Sequence, residues 1–470
     1  MNRRWLLSAL SVLLMERFRP RLAGRQQLAA SSPKENHMAR RLTYPMKTAL
    51  ALALLVLIPA ALGTLVAQSP EPKPAFPGQT DAPAAPPSAP FQVQIVTDRL
   101  NAPWSLAFLP DGSFLVTENG GSMRVVKNDG SVSAPVEGMP GVRSVGAEGL
   151  HEVALDPDFA RNRMIYFTYL APPVGEPSGA WPLENLYEKV WAAPLAERRT
   201  MKIGRERVAR ARLSNDARRV ENVEVIGEGV GERRMVVAPD GSLFISGADR
   251  FWLYESELDG MEHPFLDNPD ERRNFTGRVM HINRDGSIPR GNPWLSRSTV
   301  LAETWAHGFK DPEGLAFNPQ SGDLWIVDHG PQGGDEINIV RPGRDYGWPN
   351  VTYGKQYDDR QADGRKNVFV GTGLTSMQGV EEPLYYWVPS IAPSGMMFYT
   401  GNLFPAWRGN LFVGAMAGQH LVRLVLDGNK VVAEERLLAD RKWRIREVKQ
   451  GPDGAIYLFA VNRLVRLAPQ

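Results

Sequence analysis

One phrase recurs six times along this chain, and few folds can absorb such a repeat. Its clearest copy, Trp104-Ser-Leu-Ala-Phe-Leu-Pro-Asp-Gly-Ser-Phe-Leu-Val-Thr, reads as an apolar strand, a Pro-Asp-Gly turn and a second strand. The phrase returns at Val153 and Met164, at Met235 to Ser246, and at Gly314 to Val327. A looser copy spans Gly395 to Gly414, and the last runs from Val448 to Phe459. Further strands are expected behind the copies at Ser122–Val126, Val190–Ala193, Arg278–Ile282, Glu336–Val340, His420–Leu426 and Arg463–Leu467. A meander that cannot bury its own faces must stack on its neighbours. Six such units predict an all-β fold, a six-bladed β-propeller of four-stranded antiparallel blades over residues 91–470. Phe91–Val96, ahead of the first unit, is spare and is expected to complete the last blade. A pair of β-sandwiches would leave the repetition unexplained.

Composition closes off several classes of function. Cysteine is absent, which excludes disulfides, thiolate metal sites and a cysteine nucleophile. The formal net charge of +2 is an average of two unlike parts, because residues 1–67 alone carry +8 and leave the remainder at about −6. A mildly acidic body lacks the basic footprint of a nucleic-acid binder. The arginine-rich stretch Lys202–Arg219 reads as a solvated outer strand and turn. No Walker loop, nucleophile elbow, His-Glu-x-x-His zinc motif or dinucleotide fingerprint is present.

Ahead of the body, Thr48–Ala67 is an apolar run introduced by Arg40, Arg41 and Lys47 and ending in Leu65-Val66-Ala67. That pattern predicts an export signal cleaved after Ala67, or a retained membrane anchor of the same length. It implies a periplasmic or extracellular location, with any membrane contact made through this segment. The earlier run Trp5–Met15 reads as an upstream extension. Eight of the 22 residues from Ser69 to Pro90 are proline, so 68–90 is expected to be a solvated, extended linker.

The unusual residues fall in loops at the blade ends, where propellers bind ligands. Asp328-His-Gly-Pro-Gln-Gly-Gly-Asp-Glu-Ile-Asn338 leaves an apolar strand, turns on three glycines and ends on two carboxylates. Two readings fit it: an oxygen-ligand site for a hard cation such as calcium, or a tight loop whose acids cap neighbouring amides. Lys310, Arg444 and Arg446 add a cationic rim suited to a polyanionic ligand. His151, His307 and His329 supply imidazoles.

These residues resemble the soluble PQQ-dependent aldose sugar dehydrogenases, the glucose/sorbosone dehydrogenase family. The resemblance is carried by His329–Asn338 with Asp345-Tyr-Gly-Trp-Pro, by Arg278–Trp294, and by Arg444-Ile-Arg-Glu-Val. It implies a propeller that holds pyrroloquinoline quinone (PQQ) and calcium and oxidises the C1 hydroxyl of aldoses to lactones, passing electrons to a further acceptor. Carried over residue by residue, it implies calcium at the Gly330 and Pro331 carbonyls and a second calcium at Glu336 and Tyr346. It places Lys310, Asp311, Arg444 and Arg446 against PQQ. In the family a histidine base takes the sugar proton while hydride passes to the quinone.

The departures fall on that chemistry. The base position is Val230 here, which cannot accept a proton, so His151 and His307 are the candidate replacements. A family glutamine is Ala147, a lysine is Ala417, and an Arg-Asn-Pro-Gln-Gly loop reads Lys310-Asp-Pro-Glu-Gly314. A second function is therefore also open, a propeller that keeps the calcium loop but serves the cell envelope as a sugar- or ligand-binding module.

Overall fold

Alternation explains how the repeats pack. In Phe114-Leu115-Val116, Leu115 faces the second blade while Phe114 and Val116 face the sixth, and all three are buried. A strand apolar on both faces needs a sheet on each side. The computed structural model meets that need with six sheets around one axis, and it describes residues 72–87, 90–180, 204–228, 234–249, 277–297, 300–357, 366, 368–370 and 373–470. The hydrophobic interior is correspondingly divided into six wedges, one between each pair of adjacent blades.

The first blade contains Pro103–Phe108, Phe114–Glu118 and Ser122–Val126. Its fourth row is an irregular segment bonded at Ser131, Ser133 and Val136 to that edge. Five blades have four antiparallel strands. The second runs Leu150–Leu155, Met164–Ala171, Arg205–Leu213 and Val220–Glu228. The third runs Arg234–Val237, Leu243–Gly247, Arg278–Ile282 and Thr304–His307. In the fourth the strands are Pro312–Phe317, Leu324–Asp328, Asp335–Ile339 and Tyr385–Trp387. The fifth has Pro393–Phe398, Leu411–Ala415, His420–Asp427 and Lys430–Leu437. The sixth has Ile445–Gln450, Ile456–Ala460 and Arg463–Pro469, and Phe91–Thr97 pairs antiparallel with the last of these to close the ring. The spare strand therefore completes the sixth blade as its position suggested.

The turn chemistry is local. Gly112, Gly241 and Gly454 adopt left-handed backbone at φ 85°, 88° and 79°, a conformation glycine takes at no steric cost. Asp111 and Asp240 each accept a bond from the serine two residues on, from both its amide and its hydroxyl.

Two expectations need correction. The third strand of the second blade is Arg205–Leu213, whereas Val190–Ala193 lies outside the described residues. The arginines of that strand face outward and pair across to Glu228, Glu224 and Glu221, while Val208, Ala209, Ala211 and Leu213 are buried. The proline-rich segment is also not a free tether throughout. Residues 72–87 form a strap along the fourth and fifth blades. Gln79 is buried and bonds the Pro383 carbonyl at 2.9 Å, and Tyr386 donates to the Gln79 carbonyl. Further on, Ala85 and Pro83 exchange backbone bonds with Glu434 on the outer edge of the fifth blade. The apolar runs Trp5–Met15 and Thr48–Ala67 lie outside the described residues.

Candidate active site

The innermost strands build the floor. Five of them carry a register shift near the end where they enter from the previous blade, at Pro103/Leu106, Leu150/Val153, Pro312/Gly314, Pro393/Met396 and Ile445/Glu447. A bulge re-aims the side chains beside it. Together with Arg234, which opens the third blade, these positions bring Ser105, Glu152, Glu313, Ser394 and Glu447 into one buried polar ring. Arg234 is its hub. It donates to Glu447 at 2.6 Å, Glu152 at 3.3 Å, Ser394 at 3.3 Å, and the carbonyls of Glu313 and Arg446 at 2.6 and 2.9 Å. Lys449 reaches Glu152 at 2.7 Å, and the Ser105 hydroxyl also bonds that carboxylate.

Burial works against charge throughout the ring. It pushes Glu447 above the usual carboxylate range, offset only in part by Arg234 and Lys449. In Glu152 the same burial is outweighed by Lys449 and Arg234, which hold it low.

The ring divides the channel. Residues that follow it on the inner strands, among them Leu106, Val153, Met235 and Met396, line a cavity of about 300 Å³ on one side. Residues that precede it, Trp104, Ala147, Arg444 and Arg446, line another of about 240 Å³ at the opposite mouth. There the Arg446 guanidinium lies 5.2 Å from the Trp104 ring centre, and Arg234 lies 4.1 Å from it. A mouth lined by Arg444 and Arg446 fits an anionic ligand.

The other predicted contacts are placed differently. Lys310 is buried, its amine 5.8 Å from the Trp348 ring centre, and Asp311 has His329 at 3.9 Å. Neither lines the cavity that Arg444 and Arg446 share. His151 packs tilted against Trp104, its ring centre 4.6 Å away, is wholly buried, and its Nε2 lies 2.9 Å from the Ala147 carbonyl. His307 ends the outermost strand of the third blade, 3.5 Å from Asp345. Of the two candidate replacements for the base, His151 is thus packed under Trp104 and His307 sits at the blade's outer edge. Val230 lies outside the described residues.

In the glycine loop the amide-capping reading is seen directly at two of the acids. Asp335 accepts four donors, from Gly330, Ser390, Ile391 and Ala392, at 2.7–3.1 Å. Asp328 takes the amides of Lys310 and Asp311 at 2.8 and 2.7 Å. These two acids cap amides, and burial pushes them up to about 7 and about 6. Gly330 is obligatory, since a Cβ there would meet the Gly333 carbonyl oxygen at 2.3 Å.

Glu336 is different. Burial raises its carboxyl well above the usual range, with Asp328, Glu382 and Asp335 adding to the rise. Asn338 donates to it at 3.3 Å, and the buried Asn338 Oδ1 has no donor. A hard cation would relieve both groups, so the pair fits calcium. Among the described residues no three His, Asp or Glu side chains converge on a metal, so carbonyls such as those of Gly330 and Pro331 would have to share the ligation. The Tyr346 hydroxyl is committed to the Ile339 carbonyl and the Arg341 amide. The tyrosine that feels Glu336 is Tyr353.

Comparison with known proteins places the chain. The glucose/sorbosone dehydrogenase family profile matches residues 100–468. The aldose sugar dehydrogenase of Escherichia coli is 33% identical over 386 residues, covering 81% of this chain and 94% of that one. The crystal structure of the soluble E. coli aldose sugar dehydrogenase in its apo form superposes with a TM-score of 0.66 at 32% identity, over 81% of this chain and all of the other. Quinoprotein glucose dehydrogenase B of Acinetobacter calcoaceticus is 24% identical, over 78% of this chain and 84% of its own. The chain belongs to the glucose/sorbosone dehydrogenase family, a family of PQQ-dependent sugar dehydrogenases.

Proposed function

We propose that this protein is a PQQ- and calcium-dependent dehydrogenase that oxidises the C1 hydroxyl of an aldose to a lactone and hands the electrons to a separate acceptor. The observation that carries the reading is the mouth cavity, where Trp104, Arg444 and Arg446 stand together in a member of this family. PQQ, when bound, supplies the two-electron acceptor. Arg444 would carry most of the attraction for its carboxylates, with Arg446 beside it already paired to Glu313. Gly330, Pro331 and Glu336 would hold calcium, and Asp335 and Asp328 keep their loop in shape. The basic and apolar segment ending at Ala67 supports a place outside the cytoplasm.

A second reading, an envelope sugar- or ligand-binding module without dehydrogenase chemistry, draws on one observation: neither His151 nor His307 is presented to the channel. Reconstitution separates the two. Purified protein mixed with PQQ and calcium is expected to show a bound-quinone absorption band and to reduce an artificial acceptor when aldoses are added. A bound-quinone band without turnover would favour the binding module. No band at all would sink the dehydrogenase reading.

A further inference from the structure

Arg446 does not meet its ligand as an uncompensated cation. Its guanidinium lies 3.2 and 3.4 Å from the two carboxylate oxygens of Glu313, a side chain 7% exposed. That pair cannot easily part. Arg234 holds Glu313 through its carbonyl and Arg446 through its own, so both backbones are pinned by one buried guanidinium. The Ser394 hydroxyl also lies at 3.5 Å from Glu313. A carboxylate so enclosed has no route to water by a simple rotamer change.

We infer that Glu313 determines what anion the mouth accepts: it occupies on Arg446 the place a ligand carboxylate would take, so the site disfavours a fully charged tricarboxylate and favours the same planar quinone with fewer charges. The reasoning is one of charge. A guanidinium attracts a second carboxylate only weakly once the first is fixed against it, and the two carboxylates repel in a partly desolvated pocket. Arg444 then carries most of the attraction for the ligand. The inference rests on the quinone reading of the mouth and names the residue that tunes it.

The test is equilibrium binding, followed by tryptophan fluorescence quenching in calcium buffer, with PQQ and its trimethyl ester as probes. Glu313→Gln keeps the shape and leaves both carbonyl bonds to Arg234 in place. PQQ is expected to bind E313Q at least about tenfold more tightly than wild type, while ester affinity changes little. Equal or weaker PQQ binding by E313Q would overturn the inference while leaving the quinone reading standing, since Glu313 would then merely steady Arg446. The wild type alone gives a second check that needs no variant to fold. It is expected to bind the ester no more weakly than PQQ, and a tenfold or greater preference for PQQ would overturn the proposal. Absence of any PQQ binding by either protein removes the quinone reading, and the inference with it.

Discussion

Arg234 shows what a single buried charge does here. Its five acceptors come from four blades, so its loss leaves Glu447 and Glu152 with only Lys449 to offset their charge in a buried ring. Removing one partner of a buried ion pair typically costs about 3–5 kcal/mol. Arg234→Met is therefore expected to lower stability by that order in chemical denaturation, and the double variant Arg234→Met with Glu447→Gln to recover part of it. Buried imidazoles make a separate, pH-dependent contribution. His281 sits between Asn292 and Ser242 at 2.7 and 2.8 Å and stacks on Phe244, and burial lowers its affinity for a proton. Below the ordinary histidine value of 6.5 the unfolded chain binds that proton and the folded chain resists it, so the contribution is whole above that pH and lost as pH falls through it. Melting curves between pH 7.5 and 5 are expected to fall less steeply for His281→Gln, by at most about 1.4 kcal/mol per pH unit. At this scale the sequence could have shown more than it did. Each ring residue is the polar one just before the apolar phrase of its repeat, as in Ser105-Leu106, Glu152-Val153 and Arg234-Met235, and only aligning the repeats on one another exposes the column. The capping role of Asp335 was open but not decidable, because the Ile391 and Ala392 amides come from the approach of another blade.

Elements that depend on side-chain pattern were legible, and those that depend on backbone bonds were not. The strands with Val, Leu, Phe and Ile on both faces announce themselves. Arg205–Leu213 was legible as an outer strand but not as a half-buried one, since its arginines hid the pairing with Glu221, Glu224 and Glu228 on the next strand. The strap was hidden for the same reason. Its prolines and alanines bury little, and what fastens it is the Pro83 carbonyl, the Ala85 amide and one glutamine. Gln79 also lies 3.1 Å from the Tyr353 hydroxyl, which in turn lies 3.1 Å from Glu382, so the strap reaches the acidic neighbourhood of Glu336. A chain beginning at Gln68 is expected to melt like one with the full N-terminus, whereas one beginning at Pro90 melts lower. Gln79→Ala alone should cost about 1–3 kcal/mol, the usual loss when buried partners are left unpaired. Differential scanning calorimetry of the full chain, the two truncations and Gln79→Ala measures both effects.

At the scale of the whole molecule the repeat number, the propeller and the closing strand were all readable, because a period needs no side-chain detail to be counted. Function was readable only in part: the motif around His329–Asn338 pointed to the right family, but placing its neighbours required the fold. The closing strand has a consequence for biosynthesis. Phe91–Thr97 leaves the ribosome before any blade, yet its partner Arg463–Pro469 follows all five other blades. The sixth blade therefore cannot close until Arg463–Pro469 has emerged, and an open ring with bare edges precedes it. The blade edges stay unpaired for as long as the two ends are apart, which makes the closing strand the last piece of the ring to dock.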